Sequence, residues 1–408
     1  MPGWLINLAG VRNDELRFVR LYAENGVYGT RFRKTGDGSW NEPQRMTIAD
    51  YALIEEGDLV FFFRERNIYG IGIIKSFDTP EGNQVVFNNY PEAIVSDGSN
   101  FSTEDYLWAE QFERDLWSEE ERNEFGIPFV FFFDPCPAFF ESGLDMDFVL
   151  QSDAKNVANQ IRAFEDRSFI RLEDEESHLL VELFTRRRGE SRNIFNFRGS
   201  VHEEVSRQVR DNGVYVFNPG TLISAFVESH ILSSESIMQI AFAYGIRHKE
   251  ENFSRVFGDW DFIANQFPVS PFKPTKYRDF TDIFGYIRGK LNGRLPDAIN
   301  GFNIVELKKK RLVGQTENSF AEACRFIEQT MKYVDWVANY RAGGDYTLIK
   351  AYLVSGGFSD RIVDYAKKNR IRDFVIPRRP YEAMRWEALS LIQYSYDDDG
   401  FHLTEALG

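Results

Sequence analysis

The stretch NIVELKKK, residues Asn303 to Lys310, decides how this chain reads. Its first three residues have strand-forming character and deliver Glu306 and Lys308 on alternate positions, with Lys309 and Lys310 behind them. Alternate side chains of a strand share one face, so the acid and the lysine point the same way. Two readings follow from that geometry. The charges mark a strand emerging into water, or they hold a carboxylate and an ammonium against one shared charged species.

Residues further along the chain separate the two. Cleavage of a phosphodiester asks for two acidic groups to hold Mg2+ and a lysine to orient the attacking water or offset developing charge. The second carboxylate should come from a neighbouring strand upstream. Asp282 opens DIFGYI, an apolar run long enough to pair with FNIVELKK across a loop. Asp297 is the alternative, following Pro296 in GRLPDAING, with Asn300-Gly301 as the turn of a tight hairpin. Asp282 is preferred because PDAI is very short and its surroundings read as loop. A third acid, Glu228, interrupts the apolar neighbourhood of LISAFVESHIL, where plain surface exposure is its other reading. Downstream, SFAEACRFIEQTMKYVDWVANY is a strongly periodic helix, and its Gln329 and Tyr333, four apart, share a face. There they can hydrogen-bond nucleic acid or the lysine.

The wider pattern divides the chain. From about residue 213 strands and helices alternate: FTDIFGYI, FNIVELKK, the long helix, DYTLIKAYLVSG, the helix SDRIVDYAKKNRI, and RDFVIP as a last strand. That order predicts an α/β domain with a mixed central sheet flanked by helices. TLISAFVESHILSS reads as a further helix before it. Residues 1–185 are different, with short β-type runs such as GDLVFFF and IYGIGIIKSF separated by the polar RERN, a hairpin reading. IPFVFFF, a short helix in MDFVLQS, and a strand turning into a helix in SFIRLEDEESHLLVELF complete a β-rich portion, read as a small barrel. Residues 186–212, beginning with RRRGESRN and continuing into a helical stretch at 202–209, form the expected connector.

Composition narrows the classes. A chain of 408 residues with 43% hydrophobic and 27% charged residues is that of a globular protein, and its 38 Phe point to large packing groups in the β-rich part. The formal charge of −15 argues against a protein that coats duplex DNA indiscriminately, because such coats neutralise phosphates. LKKKRL and VIPRRP remain as local basic patches able to meet a backbone. Cys136 and Cys324 are too far apart for a metal motif and fit a reducing, cytoplasmic setting. Five histidines show no paired zinc spacing, and no phosphate-binding Gly-rich loop precedes a Lys-Ser/Thr pair. The longest apolar run, FVFFFDPCPAFF, is broken by Asp134, Pro135 and Pro137 and is too short to span a bilayer, so no membrane association is expected.

With Asp282, Glu306-x-Lys308 and Gln329-x-x-x-Tyr333 in this order, residues 213–408 resemble a PD-(D/E)xK nuclease domain of restriction-endonuclease-like fold. The Gln-x-x-x-Tyr element is similar to the RecB-type branch, and the run from FTDIFGYI to the final strand resembles the C-terminal domains of NucS-type and Shedu-type nucleases. The resemblance implies DNA as substrate and Mg2+, with Mn2+ as a substitute, held by Asp282 (or Asp297) and Glu306. It also implies restriction or anti-phage defence and a homo-oligomer, dimer or tetramer. GDLVFFFRERNIYGIGIIKSF, FESGLDMDFVL and RSFIRLEDEE together resemble EVE-type members of the PUA-like superfamily, which implies an N-terminal sensor of nucleic acid. Trp4, Trp40 and Trp108 are available there to stack on a base or to pack the core. The competing expectations are an inactive nucleic-acid-binding sensor and an RNA nuclease.

Overall fold

The computed structural model describes residues 3–8, 26–33, 47, 49–78, 84–85, 87–89, 125–152, 161, 168–187, 235–269, 279–291, 295–376, 380–397 and 400–408. Glu228, Trp40, Trp108, the connector beyond Arg187 and the helical reading of TLISAFVESHILSS lie outside these residues. The chain is mixed α/β and divides into two compact units, Met1–Ser229 and His230–Gly408.

In the first unit β1 (Gly3–Asn7), β2 (Val27–Arg33), β3 (Leu59–Arg64), β4 (Asn67–Lys75), the short β5 (Phe77–Asp78), β6 (Gln84–Val85) and β7 (Phe87–Asn89), the long β8 (Phe125–Asp145) and β9 (Phe169–Leu172) are joined by α1 (Met146–Ser152) and α2 (Asp174–Arg186). The main sheet runs β2-β8-β4-β3-β1-β9, with β7 also on β8. Only the β1–β3 pair is parallel among the described strands of this sheet. Where a closed barrel is the sequence expectation, the described strands form an open, curled sheet ending on β2 and β9. The RERN hairpin is present. Arg64 pairs with Asn67, and Glu65 and Arg66 make the two-residue turn at φ 44° and 66°, the hand that matches strand twist. Phenylalanine fills the interior: Phe169 sits 5.4 Å from Trp4, 4.9 Å from Tyr51 and 5.9 Å from Phe131, ring centre to ring centre. Trp4 is therefore a core residue, fully buried, with its indole N–H donated to Asp58 Oδ2 at 2.8 Å. Burial pushes the Asp58 carboxyl up to about 6, against the pull of Arg171 and of that hydrogen bond.

The second unit opens with α3 (Glu235–Arg247) and α4 (Glu251–Phe257), neither of which the apolar pattern distinguishes from its surroundings. Next come β10 (Phe262–Pro268), β11 (Phe280–Leu291), β12 (Leu295–Lys308), α5 (Glu317–Tyr340), β13 (Ile349–Ser355), α6 (Asp360–Asn369), β14 (Arg372–Val375), β15 (Ala383–Trp386), β16 (Leu389–Asp397) and β17 (Gly400–Leu407). The sheet order is β10-β11-β12-β13-β16-β17: an antiparallel meander, a parallel centre of β12, β13 and β16, and an antiparallel edge. RDFVIP is not the last strand of this sheet. Its β14 is half-exposed and, among the described residues, pairs with β15 alone in a separate ribbon, while the better-buried β16 takes the place beside β13.

Helix α5 forms because its apolar residues recur at helical spacing, burying Ile327, Val334 and Val337 against Ile304 and Leu353 of the sheet. Thr316 caps its start by accepting from the Ser319 N–H at 3.2 Å, and Ser319 returns a hydroxyl to the Thr316 N–H. Thr316→Ala should cost about 1 kcal/mol in a urea melt, the usual worth of an N-cap.

Asn300-Gly301 is not a hairpin turn. Ile287 pairs with Gly301 and Arg288 with Ile299, so Asn300 is the extra residue of a β-bulge inside β12. The bulge accounts for the turn-like chemistry without ending the strand.

Candidate functional site

Register builds the site. Ile283 of β11 faces Val305 of β12, and Phe267 of β10 faces Thr281, so Gln266, Asp282 and Glu306 occupy one row across three adjacent strands. Cross-strand partners in antiparallel sheet lie on the same face, which brings the two carboxylates together. Phe302 and Ile304 pack in the core beneath α5, and by alternation Glu306 and Lys308 continue that face past the end of the apolar core.

Glu306 is 2% exposed. Its Oε1 receives the Lys308 ammonium at 2.9 Å, and its Oε2 is buried with no hydrogen-bond partner among the described residues. An orphaned buried carboxylate oxygen is costly, and the cost appears as a displaced equilibrium: burial, then the charge of Asp282, push the Glu306 carboxyl up to about 8 against the opposing pull of Lys308. Asp282, partly buried, accepts from the Leu307 N–H at 2.7 Å through Oδ2 and from Gln266 Nε2 at 3.1 Å through Oδ1. Burial raises its carboxyl too, with Lys308 and the Leu307 N–H pulling the other way. Burial by itself would lower the Lys308 ammonium, yet Glu306, Asp282 and Glu235 outweigh it and raise it, so this lysine stays charged.

Helix α5 lays three side chains over this cluster. Phe326 presents its ring 5.0 Å from Lys308 Nζ, a cation–π contact that confines the ammonium. Tyr333 is buried, and burial and Glu306 hold its phenol well above its ordinary value, so it remains protonated. Gln329 donates to the Tyr333 oxygen. From α3, Glu235 Oε2 lies 4.0 Å from Lys308 Nζ, and the fully buried Gln239 donates to the Asp282 carbonyl at 2.7 Å.

The structure thus gathers Asp282, Glu306, Lys308, Gln329 and Tyr333. Asp297 belongs to β12 itself, nine positions before Glu306, which at strand rise is roughly 30 Å away. Lys310 and Arg311 are exposed just past the strand, while Lys309 is half-buried, its carbonyl accepting from Tyr394 at 3.1 Å. Sequence reasoning missed Glu235, Gln239, Gln266 and Phe326. Only Glu235 and Gln239 left a local signal, the i, i+4 spacing in ESIMQ.

Among the described residues no three His, Cys, Asp or Glu side chains are grouped so as to enclose a metal ion. Two carboxylates are nevertheless a fitting set for Mg2+, which keeps several waters and takes further oxygens from a phosphate. The unpartnered Glu306 Oε2 beside a second raised carboxyl is the arrangement a cation would relieve.

Among the described residues no helix is long and apolar enough to cross a membrane. No family model and no curated protein matches the chain. Among solved structures, a repair endonuclease from Pyrococcus abyssi is similar over 30% of this chain at 16% identity and a TM-score of 0.16. The match spans 42% of that endonuclease's length.

Proposed function

We propose that the C-terminal unit is a divalent-cation-dependent nuclease of the PD-(D/E)xK type that hydrolyses phosphodiesters of DNA. The observation that carries this reading is the pair of buried carboxylates, Glu306 beside Asp282, with a charged lysine 2.9 Å from one Glu306 oxygen and no partner among the described residues on the other. Asp282 and Glu306 would hold Mg2+, or Mn2+ in its place. The ion supplies Lewis-acid polarisation of the phosphate and a more acidic bound water. Lys308, kept charged by its carboxylates and confined by Phe326, orients the attacking water and offsets charge on the phosphorane oxygens. Gln329 fixes the Tyr333 oxygen, which leaves the phenol proton for an acceptor such as a backbone phosphate. Glu235 would add a third carboxylate beside Lys308. Lys310 and Arg311 form a basic rim. The N-terminal unit would read the target, so that cleavage is conditional, as restriction or anti-phage defence requires, and a dimer or tetramer would cut both strands.

Supercoiled plasmid, linear duplex and RNA are incubated with wild type and Lys308→Ala in Mg2+, Mn2+ or EDTA. DNA cleavage should need the metal and fall about 10²–10³-fold in the variant, the usual loss when one charge-stabilising donor is removed. Digestion that ignores EDTA, or that is equal in wild type and variant, overturns the reading, and digestion of RNA alone overturns the choice of DNA.

A further inference from the structure

Gln266 has a backbone conformation that a strand does not call for. It lies inside β10 between the paired Asn265 and Phe267, yet its φ is +50°. A non-glycine residue in the left-handed region is strained, and such outliers gather at functional sites, where a side chain has to be aimed. Here the side chain is aimed at Asp282. Gln266 Nε2 donates to Asp282 Oδ1 at 3.1 Å and stands 3.3 Å from Gln239 Oε1, while Gln239 Nε2 donates to the Asp282 carbonyl at 2.7 Å.

These contacts close a ring through α3, β10 and β11, and the ring has one polarity. The Asp282 carbonyl is an acceptor only, so the Gln239 nitrogen must face it and the Gln239 oxygen must face Gln266. The Gln266 nitrogen is then the donor to the carboxylate. With Leu307 N–H on Oδ2, both Asp282 oxygens are held and the carboxylate has one orientation, set before any ligand arrives.

We propose that Gln266, carried by its left-handed backbone and oriented by Gln239, is the positioning residue for Asp282, tuning the affinity of the site for its divalent cation. This rests on the nuclease reading above. Partners that orient a ligating carboxylate typically change metal affinity or activity 10–100-fold when lost.

The test uses the full chain and Gln266→Gly, with Gln266→Asn as the second variant. Both accept positive φ; glycine has no amide, and the asparagine amide, one methylene shorter, stops short of Asp282. Mn2+ binding is measured by calorimetry without DNA, and cleavage is titrated with Mg2+. The expected result is an approximately 10–100-fold weaker Mn2+ affinity and a matching rise in half-saturating Mg2+. Rates should recover at high Mg2+, and melting temperatures should change little, because relief of backbone strain offsets the lost hydrogen bonds. A merely structural role predicts lower melting temperatures with unchanged Mn2+ affinity, and that outcome overturns the proposal. Wild type that binds Mn2+ and cleaves, with variants that match it, overturns the positioning role alone. Wild type that neither binds Mn2+ nor cleaves overturns the nuclease reading and this inference with it.

Discussion

Glu306→Gln is expected to abolish cleavage while making the metal-free protein more stable at pH 8. The loss follows from removing one of the two carboxylates that would hold the cation, worth at least about 10³-fold in rate where a metal supplies the charge stabilisation. The gain in stability follows from the buried carboxyl. In the folded protein Glu306 is raised to about 8 from an ordinary 4.5, chiefly by burial and then by Asp282. Between these values the folded chain keeps a proton that the unfolded chain has released, so stability falls as pH rises. The contribution is complete below about pH 4.5 and is lost as pH passes about 8. Glutamine has nearly the same shape and no charge to bury, and it also frees Asp282 from a like-charged neighbour. Thermal melts in EDTA at pH 6 and pH 8.5 should therefore show wild type losing a few kcal/mol across the window and Glu306→Gln losing much less. Mg2+ should restore wild type at pH 8.5 through binding to the folded state and leave the variant nearly unmoved. Parallel pH profiles for the two proteins would show that no charge is buried at this position.

Gly285→Ala should be the most destabilising small change in the second unit. A Cβ on Gly285 would stand 2.2 Å from Trp260 Cε3 and 2.5 Å from the Phe262 carbonyl oxygen. Trp260 is buried and anchored by its indole N–H to the Phe257 carbonyl at 2.9 Å, so the ring has little room to yield. The Phe262 oxygen belongs to β10, whose register places Gln266 opposite Asp282. Overpacking of this kind costs about 3 kcal/mol. For a unit of this size the cost is a fall of roughly 10 °C in melting temperature. Gly301→Ala is the matched control. Its Cβ would meet only the Leu348 carbonyl, at 3.7 Å, an ordinary contact, so its melting temperature should hold or rise slightly. Equal effects for the two substitutions would contradict the packing between β10 and β11.

Much of the second unit could be read locally. Helix α5 announces itself by apolar spacing, β11 and β12 by their runs of Ile, Phe and Val, and Glu306 and Lys308 share a face because a strand alternates. The β3–β4 hairpin was legible for the same reason, two apolar runs around a polar pair. Local signals misled where one chemistry serves two structures. Asn300-Gly301 suits a turn and also a bulge, and only the pairing of β11 with β12 shows which is present. RDFVIP has a strand's composition, but strand order gives the place beside β13 to β16.

By itself the sequence determined the elements near NIVELKKK, the alternation that puts Glu306 and Lys308 on one face, and the helix that carries Gln329 and Tyr333. The tertiary structure alone decided that Asp282 rather than Asp297 stands opposite Glu306. It also brought Glu235, Gln239, Gln266 and Phe326 to the cluster and left one Glu306 oxygen buried without a partner among the described residues. The physical reason is range. Periodicity is a property of neighbours along the chain, whereas register, strand order and desolvation arise only when segments tens of residues apart pack together.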